Sequence, residues 1–133
     1  MSITPEDLLA KAKMLAASDT EMDWRLAVNR AYYGAYHMAL AIKDQLPQTP
    51  QVTRKGGKHE QLLQSFEVAK GKIFAGKEQA LQIHRKLKQG RDDRRIADYD
   101  LAASPTPQDA MNAIRNTEQI QALIAVFLRR QSA

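Results

Sequence analysis

The chain has 133 residues, 44% hydrophobic and 26% charged, with six glycines, five prolines, no cysteine and a net charge of +5. A single domain with one real core fits that length, and the composition is that of an ordinary globule, which excludes wholesale disorder and a fibrous repeat. The absence of cysteine removes disulfides, thiolate metal sites and a cysteine nucleophile together. With no run near the ~18 apolar residues that cross a bilayer and no exported leader, a cytoplasmic protein with no membrane contact is expected.

Sparse glycine and proline leave long stretches of good helix formers. Thr4-Pro5-Glu6-Asp7 and Thr106-Pro107-Gln108-Asp109 share one helix-start signature: Thr as N-cap, Pro at the first helical position and an acid at the third. The first helix therefore starts after Thr4. A second starts at Thr20, with Glu21 and Asp23 in its first turn, and runs to about Leu46, where Pro47 and Pro50 stop it. Residues 47–58 read as an exposed polar loop. A third helix spans residues 59–70 through Leu62, Leu63, Phe66 and Val68, with a break near Gly71 or Gly76. The fourth begins near Lys77, carries Leu81, Leu87, Ile96 and Leu101, and ends before Pro105. The fifth, residues 107–130, places Ala110, Ile114, Ile120, Leu123, Ile124, Phe127 and Leu128 at three- and four-residue steps. No strand is expected. The fold class is all-α, an up-and-down bundle of four to five helices forming one domain over residues 1–133.

Charge is not spread evenly. Residues 1–50 carry five basic and six acidic side chains, residues 51–100 twelve and seven, and residues 101–133 three and two. The middle segment holds the surplus, and its field attracts polyanions unless it is only a solvated lysine-rich face.

Two stretches depart from plain core and plain surface. On the second helix, Trp24, Val28, Ala31, Tyr32, Ala35, Ala39 and Ile42 form the core stripe, while Leu26, Arg30, Tyr33, His37 and Leu40 gather on the opposite side. Such a face suits self-association or the wall of a polar cleft, or else is a partly covered helix with satisfied polar groups. On the fourth helix, Ile83, Leu87, Gly90, Arg94, Ala97 and Leu101 alternate four- and three-residue steps, so Arg94 interrupts an inward stripe. Asp98, one turn on, can pair with it. A buried pair gains little stability, so the arginine is either functional or a structural ion pair between helices. Metal chemistry is not expected from three scattered histidines, and Asp92 and Asp93 point to different sides of a helix; no cofactor is implied. Lys55-Gly56-Gly57-Lys58 lacks the strand context of a phosphate-binding loop and reads as a flexible basic loop near a cleft.

The run WRLAVNRAYYGAYHMALA at 24–41, then KHEQLLQSF at 58–66, then RRIADY at 94–99 resembles the prokaryotic HEPN subgroup built on an R-A-Y-Y helix, a loop-proximal histidine and a later R-x-x-A-D-Y motif. The resemblance covers residues 24–101. It implies a four- to five-helix bundle, usually a homodimer, with RNA or nucleotide bound in a cleft at the dimer interface. Many relatives are toxins or defence RNases that cleave RNA without metal through an Arg and a His four to six residues apart, often paired with a nucleotidyltransferase-type antitoxin. Here no His follows Arg91, Arg94 and Arg95, and Asp98 and Tyr99 stand in its place. Cleavage by 2′-hydroxyl attack needs a base, an acid and a cation for the phosphorane charge. Arg94 supplies the cation, whereas an aspartate beside arginines is a weak base and tyrosine a poor acid at its ordinary pKa. His59 and His37 are the candidates for proton transfer, His84 lying outside the motifs. The catalytic candidates are thus Arg94, Asp98, Tyr99, His59 and His37, and the nucleic-acid-binding candidates Arg30, Tyr33, Lys58, Arg91 and Arg95. The rival expectations are a noncatalytic HEPN module binding RNA, nucleotide or a protein, and a plain helical interaction protein.

Overall fold

The computed structural model describes residues 2–47 and 56–132, and among these the chain is helical with no strand. Five helices follow one another: α1 (Pro5–Ala16), α2 (Glu21–Ile42), α3 (Lys58–Ala69), α4 (Lys77–Tyr99) and α5 (Pro107–Ser132), with a 3-10 turn at Lys43–Gln45. None of them is long and apolar enough to cross a membrane.

The matched start signatures close as capping boxes. The Asp7 N–H donates to Thr4 Oγ1 at 3.2 Å while the Thr4 N–H donates to Asp7 Oδ2 at 2.8 Å. Thr106 and Asp109 repeat both bonds at 3.2 and 2.8 Å. Two of the donors stranded at each helix start are satisfied in this way. Thr20 caps α2 by accepting from the Asp23 N–H at 3.3 Å.

Helix ends differ more from expectation. The α2 helix proper stops at Ile42, and the 3-10 turn carries the chain to a buried Leu46. Most of the expected loop, residues 48–55, lies outside the described residues; Gly56 and Gly57 are exposed, and Lys58 already opens α3. The α4 helix ends at Tyr99, so Leu101 leaves the inward stripe and is 80% exposed. Two interactions impose that end. Asp100 Oδ1 accepts from the N–H groups of Ala102 and Ala103, both at 3.2 Å. From α2, Arg25 donates to the carbonyls of Ala97, Asp100 and Ala103 at 3.0, 3.0 and 2.7 Å. A guanidinium on the last carbonyls also opposes the negative end of the helix dipole.

The α2 helix is central, packed on α1, α4 and α5, while α3 lies mainly against α4. Hydrogen bonds fix the register. Asn116 donates to the Lys86 carbonyl and Gln131 to that of Ala75, so α4 and α5 run antiparallel. Thr117 Oγ1 donates to the Ala31 carbonyl at 2.7 Å, tying α5 to the middle of α2. Val28, Ala31, Tyr32, Ala35, Ala39 and Ile42 are buried as the helical period requires, and Trp24 is half-buried, with Nε1 on the Ser18 carbonyl. On α4, Ile83, Leu87, Gly90, Arg94 and Ala97 are buried, but Ile96 is exposed.

Arg25→Ala should therefore destabilise the bundle by about 2–4 kcal/mol, since three carbonyls lose a charged donor and a cavity is left. Urea unfolding checks this; a loss below ~0.5 kcal/mol would mean that water replaces the guanidinium without cost.

Candidate functional site

The packing of α2, α3 and α4 brings the three sequence runs together around the Arg94 guanidinium. Arg94 is only 9% exposed. Its Cζ lies 5.5 Å from the Tyr32 ring centre, 5.8 Å from that of Tyr33 and 6.0 Å from that of Tyr99, so aromatic rings of two helices surround the charge. Among the described residues its one hydrogen bond is long, from Nη1 to Asp98 Oδ2 at 3.5 Å, and its buried Nε has no hydrogen-bond partner. Asp98 is held more firmly by Asn29 of α2, whose Nδ2 donates to both carboxylate oxygens at 3.0 and 3.3 Å. Arg30 in turn donates to Asn29 Oδ1. Asn29 thereby links Arg30 to Asp98 and fixes the carboxylate that faces Arg94.

Tyr32 and His59 make the second half of the cluster. The Tyr32 hydroxyl and His59 Nδ1 are 2.7 Å apart, with the two rings stacked at 5.4 Å. Tyr33 and Tyr36 pack on the imidazole at 5.5 and 4.3 Å. Gly90 on α4 lets the Tyr32 ring approach: a Cβ there would sit 3.2 Å from Tyr32 Cδ1. Burial pushes the Tyr32 hydroxyl up to about 12, more than the Arg94 and Arg91 charges pull it down, so it stays protonated. Burial also lowers His59, and the neighbouring charges of Arg94, His37, Arg91 and Arg95 lower it further. His59 is therefore a neutral imidazole with Nδ1 engaged by Tyr32. Chemically the cluster offers a desolvated cation, a neutral proton acceptor or donor, and stacking surfaces.

Of the sequence candidates, Arg94, Asp98, Tyr99, His59 and Tyr33 meet here, and Tyr99 leaves its ring 75% exposed at the end of α4. Arg91 lies nearby with its side chain 12% exposed, paired with Glu60 of α3 at 2.6 Å. Lys58 and Arg95 are exposed at the margin. His37 lies on the exposed side of α2 in a shallow groove with Pro5, Leu8 and Leu40, separated from His59 by the Tyr36 ring, which is 5.0 Å from His37 and 4.3 Å from His59. Leu26 and Leu40 on that side are exposed. His84 is remote, stacked on Phe66 and 3.4 Å from Glu67. A groove of about 550 Å³ between α4 and α5, lined by Gln89, Asp93, Asp109, Asn112 and Arg115 among others, includes none of the candidates.

The sequence reading missed Asn29 and Glu60 and assigned Tyr32 to the core alone. Asn29, Tyr32 and Tyr36 fall at three- and four-residue steps, a row that the helical period could have exposed. The Glu60–Arg91 pair crosses two helices and leaves no such local signal. Lys86 of α4 is half-buried and donates to Gln119 at 2.7 Å. Comparison with protein-family models, curated proteins and solved structures gives no match.

The His59 environment fixes its pH behaviour. Its NMR titration midpoint should lie below the ordinary histidine value of about 6.5 and rise in Arg94→Ala, because one opposing charge is gone. By linkage the unfolded imidazole binds its proton first as pH falls, so His59 stability is present above about pH 6.5 and lost below it. A midpoint at or above 6.5 would contradict the geometry.

Proposed function

We propose that the chain is a HEPN-type protein of the toxin–antitoxin or defence kind that acts on RNA, with a backbone phosphate held at Arg94. The observation that supports this most is the state of that guanidinium. It is buried, surrounded by tyrosines, bonded to Asp98 only at 3.5 Å and unsatisfied at Nε. A buried cation with unused donors is costly unless an anion completes it, and guanidinium geometry matches a phosphate through paired donors. Exposed Tyr99 and half-buried Tyr33 add faces on which unpaired bases stack.

As a metal-independent endoribonuclease, the protein uses Arg94 for the charge of the phosphorane and His59 for proton transfer through Nε2. Asp98, spent on Asn29 and Arg94, is a positioning residue in this scheme. The noncatalytic module that binds RNA, a nucleotide or a protein is the second reading. It is favoured by the same hydrogen bonds: Nδ1 of His59 is taken by Tyr32 and Asp98 is taken by Asn29, so a full acid and base pair is not free around Arg94. Homodimerisation through the Leu26, Tyr33 and Leu40 side of α2 and pairing with a nucleotidyltransferase-type antitoxin belong to the proposal. That side is the apolar face one bundle leaves uncovered.

Arg94→Ala should lower cleavage of a labelled single-stranded RNA on the order of 100-fold, as for loss of one oxyanion donor. Lys88→Ala, an exposed residue of the same helix, should mainly weaken binding and its salt dependence. Both variants are first shown folded by circular dichroism. Equal, small effects would refute the role of Arg94, and no cleavage by the parent would leave the binding module.

Sedimentation equilibrium should give a homodimer at micromolar concentration. A monomer at high micromolar concentration would overturn the dimer and leave the α2 face to another partner.

A further inference from the structure

The α4 helix carries two guanidinium groups with a buried, unused Nε donor, not one. The Nε atoms of Arg91 and Arg94 are both buried without a hydrogen-bond partner. The two residues are three apart on one helix, a spacing that sets side chains next to each other on a single face. Arg94 stands 5.5 Å from the Tyr32 ring centre and Arg91 pairs with Glu60, the residue after His59, so both belong to the same cluster. Their compensation differs. Among the described residues Arg94 has only the long contact to Asp98 as a hydrogen bond. Arg91 Nη1 is taken at 2.6 Å by Glu60, while Arg91 Nε is 3.9 Å from Asp92, beyond hydrogen-bond reach.

Glu60 is the unusual member. It sits in the first turn of α3, directly after His59, and its side chain is 48% exposed while Arg91 is 12% exposed. An exposed carboxylate on a half-buried arginine occupies the place an incoming anion would take. An ion pair with one exposed partner is weak enough to exchange. A phosphate can accept from Nη and Nε together, whereas Glu60 meets only Nη1.

We propose that Arg91 and Arg94 form a two-anion site for adjacent phosphates of one nucleic-acid strand, and that Glu60 masks the Arg91 half until a phosphate displaces it. The inference rests on the RNA reading above for its ligand but not for its anion chemistry. Glu60 then acts as an internal competitor: it lowers affinity for anions with one phosphate and yields to a strand that engages both arginines. Free pyrophosphate shares the chemistry, and its response separates it from a strand.

The test is a double-mutant cycle on the full chain, parent, Glu60→Gln, Arg91→Ala and the double variant, read by fluorescence anisotropy with a labelled single-stranded oligouridylate across a salt series. Glu60→Gln should tighten binding about fivefold, the scale of one exposed ion pair. It should also steepen the plot of log K against log salt by about 0.7, the increment of one further phosphate contact on a single strand. With Arg91 replaced, Glu60→Gln should change neither quantity. A gain of equal size in the absence of Arg91 would mean only that one negative charge had been removed, and would overturn the proposal, as would no gain at all. A second readout frees the test from the RNA reading: the Nε–H signals of both arginines are followed by ¹H–¹⁵N NMR during titration with pyrophosphate. Shifts of the Arg94 signal alone in the parent and of both signals in Glu60→Gln support the two-anion site even where oligouridylate fails to bind; that outcome would sink RNA as the ligand and leave pyrophosphate-type anions. No shift of either signal in Glu60→Gln would overturn the site.

Discussion

Where α2 crosses α4, guanidinium groups are taken out of water at two levels, and how each is compensated organises the rest. Arg25 has all three nitrogens engaged: three carbonyls at and just beyond the end of α4 and Glu21 one turn back accept four hydrogen bonds. Arg94, farther along the same contact, does not. The first arginine fixes where α4 stops and the direction of the chain toward α5. The second is left with donors that nothing in its own helix pair uses. One interface thus provides both a structural clamp and a site with unmet demand.

The surroundings of Arg94 keep that demand from being met internally. Asp98 is one turn away on the same helix but is drawn toward Asn29, which holds it at 3.0 and 3.3 Å against 3.5 Å to Arg94. Tyrosine rings fill the rest of the shell and stabilise the cation without accepting its N–H groups. Burial first and the same cation second lower the His59 pKa, while Tyr32 fixes the ring by its hydroxyl and by stacking. Removing Tyr32 would loosen His59 and Arg94 together, which couples the α3 contribution to that of α4.

Much of this was legible in the sequence, for local reasons. Helix starts were readable because a Thr-Pro-x-Asp run caps itself, and both such runs do so. Arg94 stood out because four- and three-residue steps place it between Gly90 and Ala97, and the structure buries all three. The end of α4 was misplaced by extending the same period to Leu101; besides the local Asp100 turn, the helix is stopped by Arg25, which lies 72 positions from the Ala97 carbonyl it binds. Asn29 and Glu60 were missed for the same physical reason: their partners, Asp98 and Arg91, sit on another helix, and no periodicity within one segment encodes such a contact. His37 shares a helix face with Tyr33, yet the bundle leaves it exposed in a separate groove, because a face is set by period but its cover is set by neighbours.

The central claim is that Arg94 is a cation built to receive a phosphate. A crystal structure of the full chain with a short single-stranded oligoribonucleotide tests it most directly. A backbone phosphate oxygen should lie within about 2.7–2.9 Å of Arg94 Nε, the range of a charge-assisted hydrogen bond. A strand bound elsewhere on the basic surface, with Arg94 Nε still unbonded between its tyrosines, would contradict it.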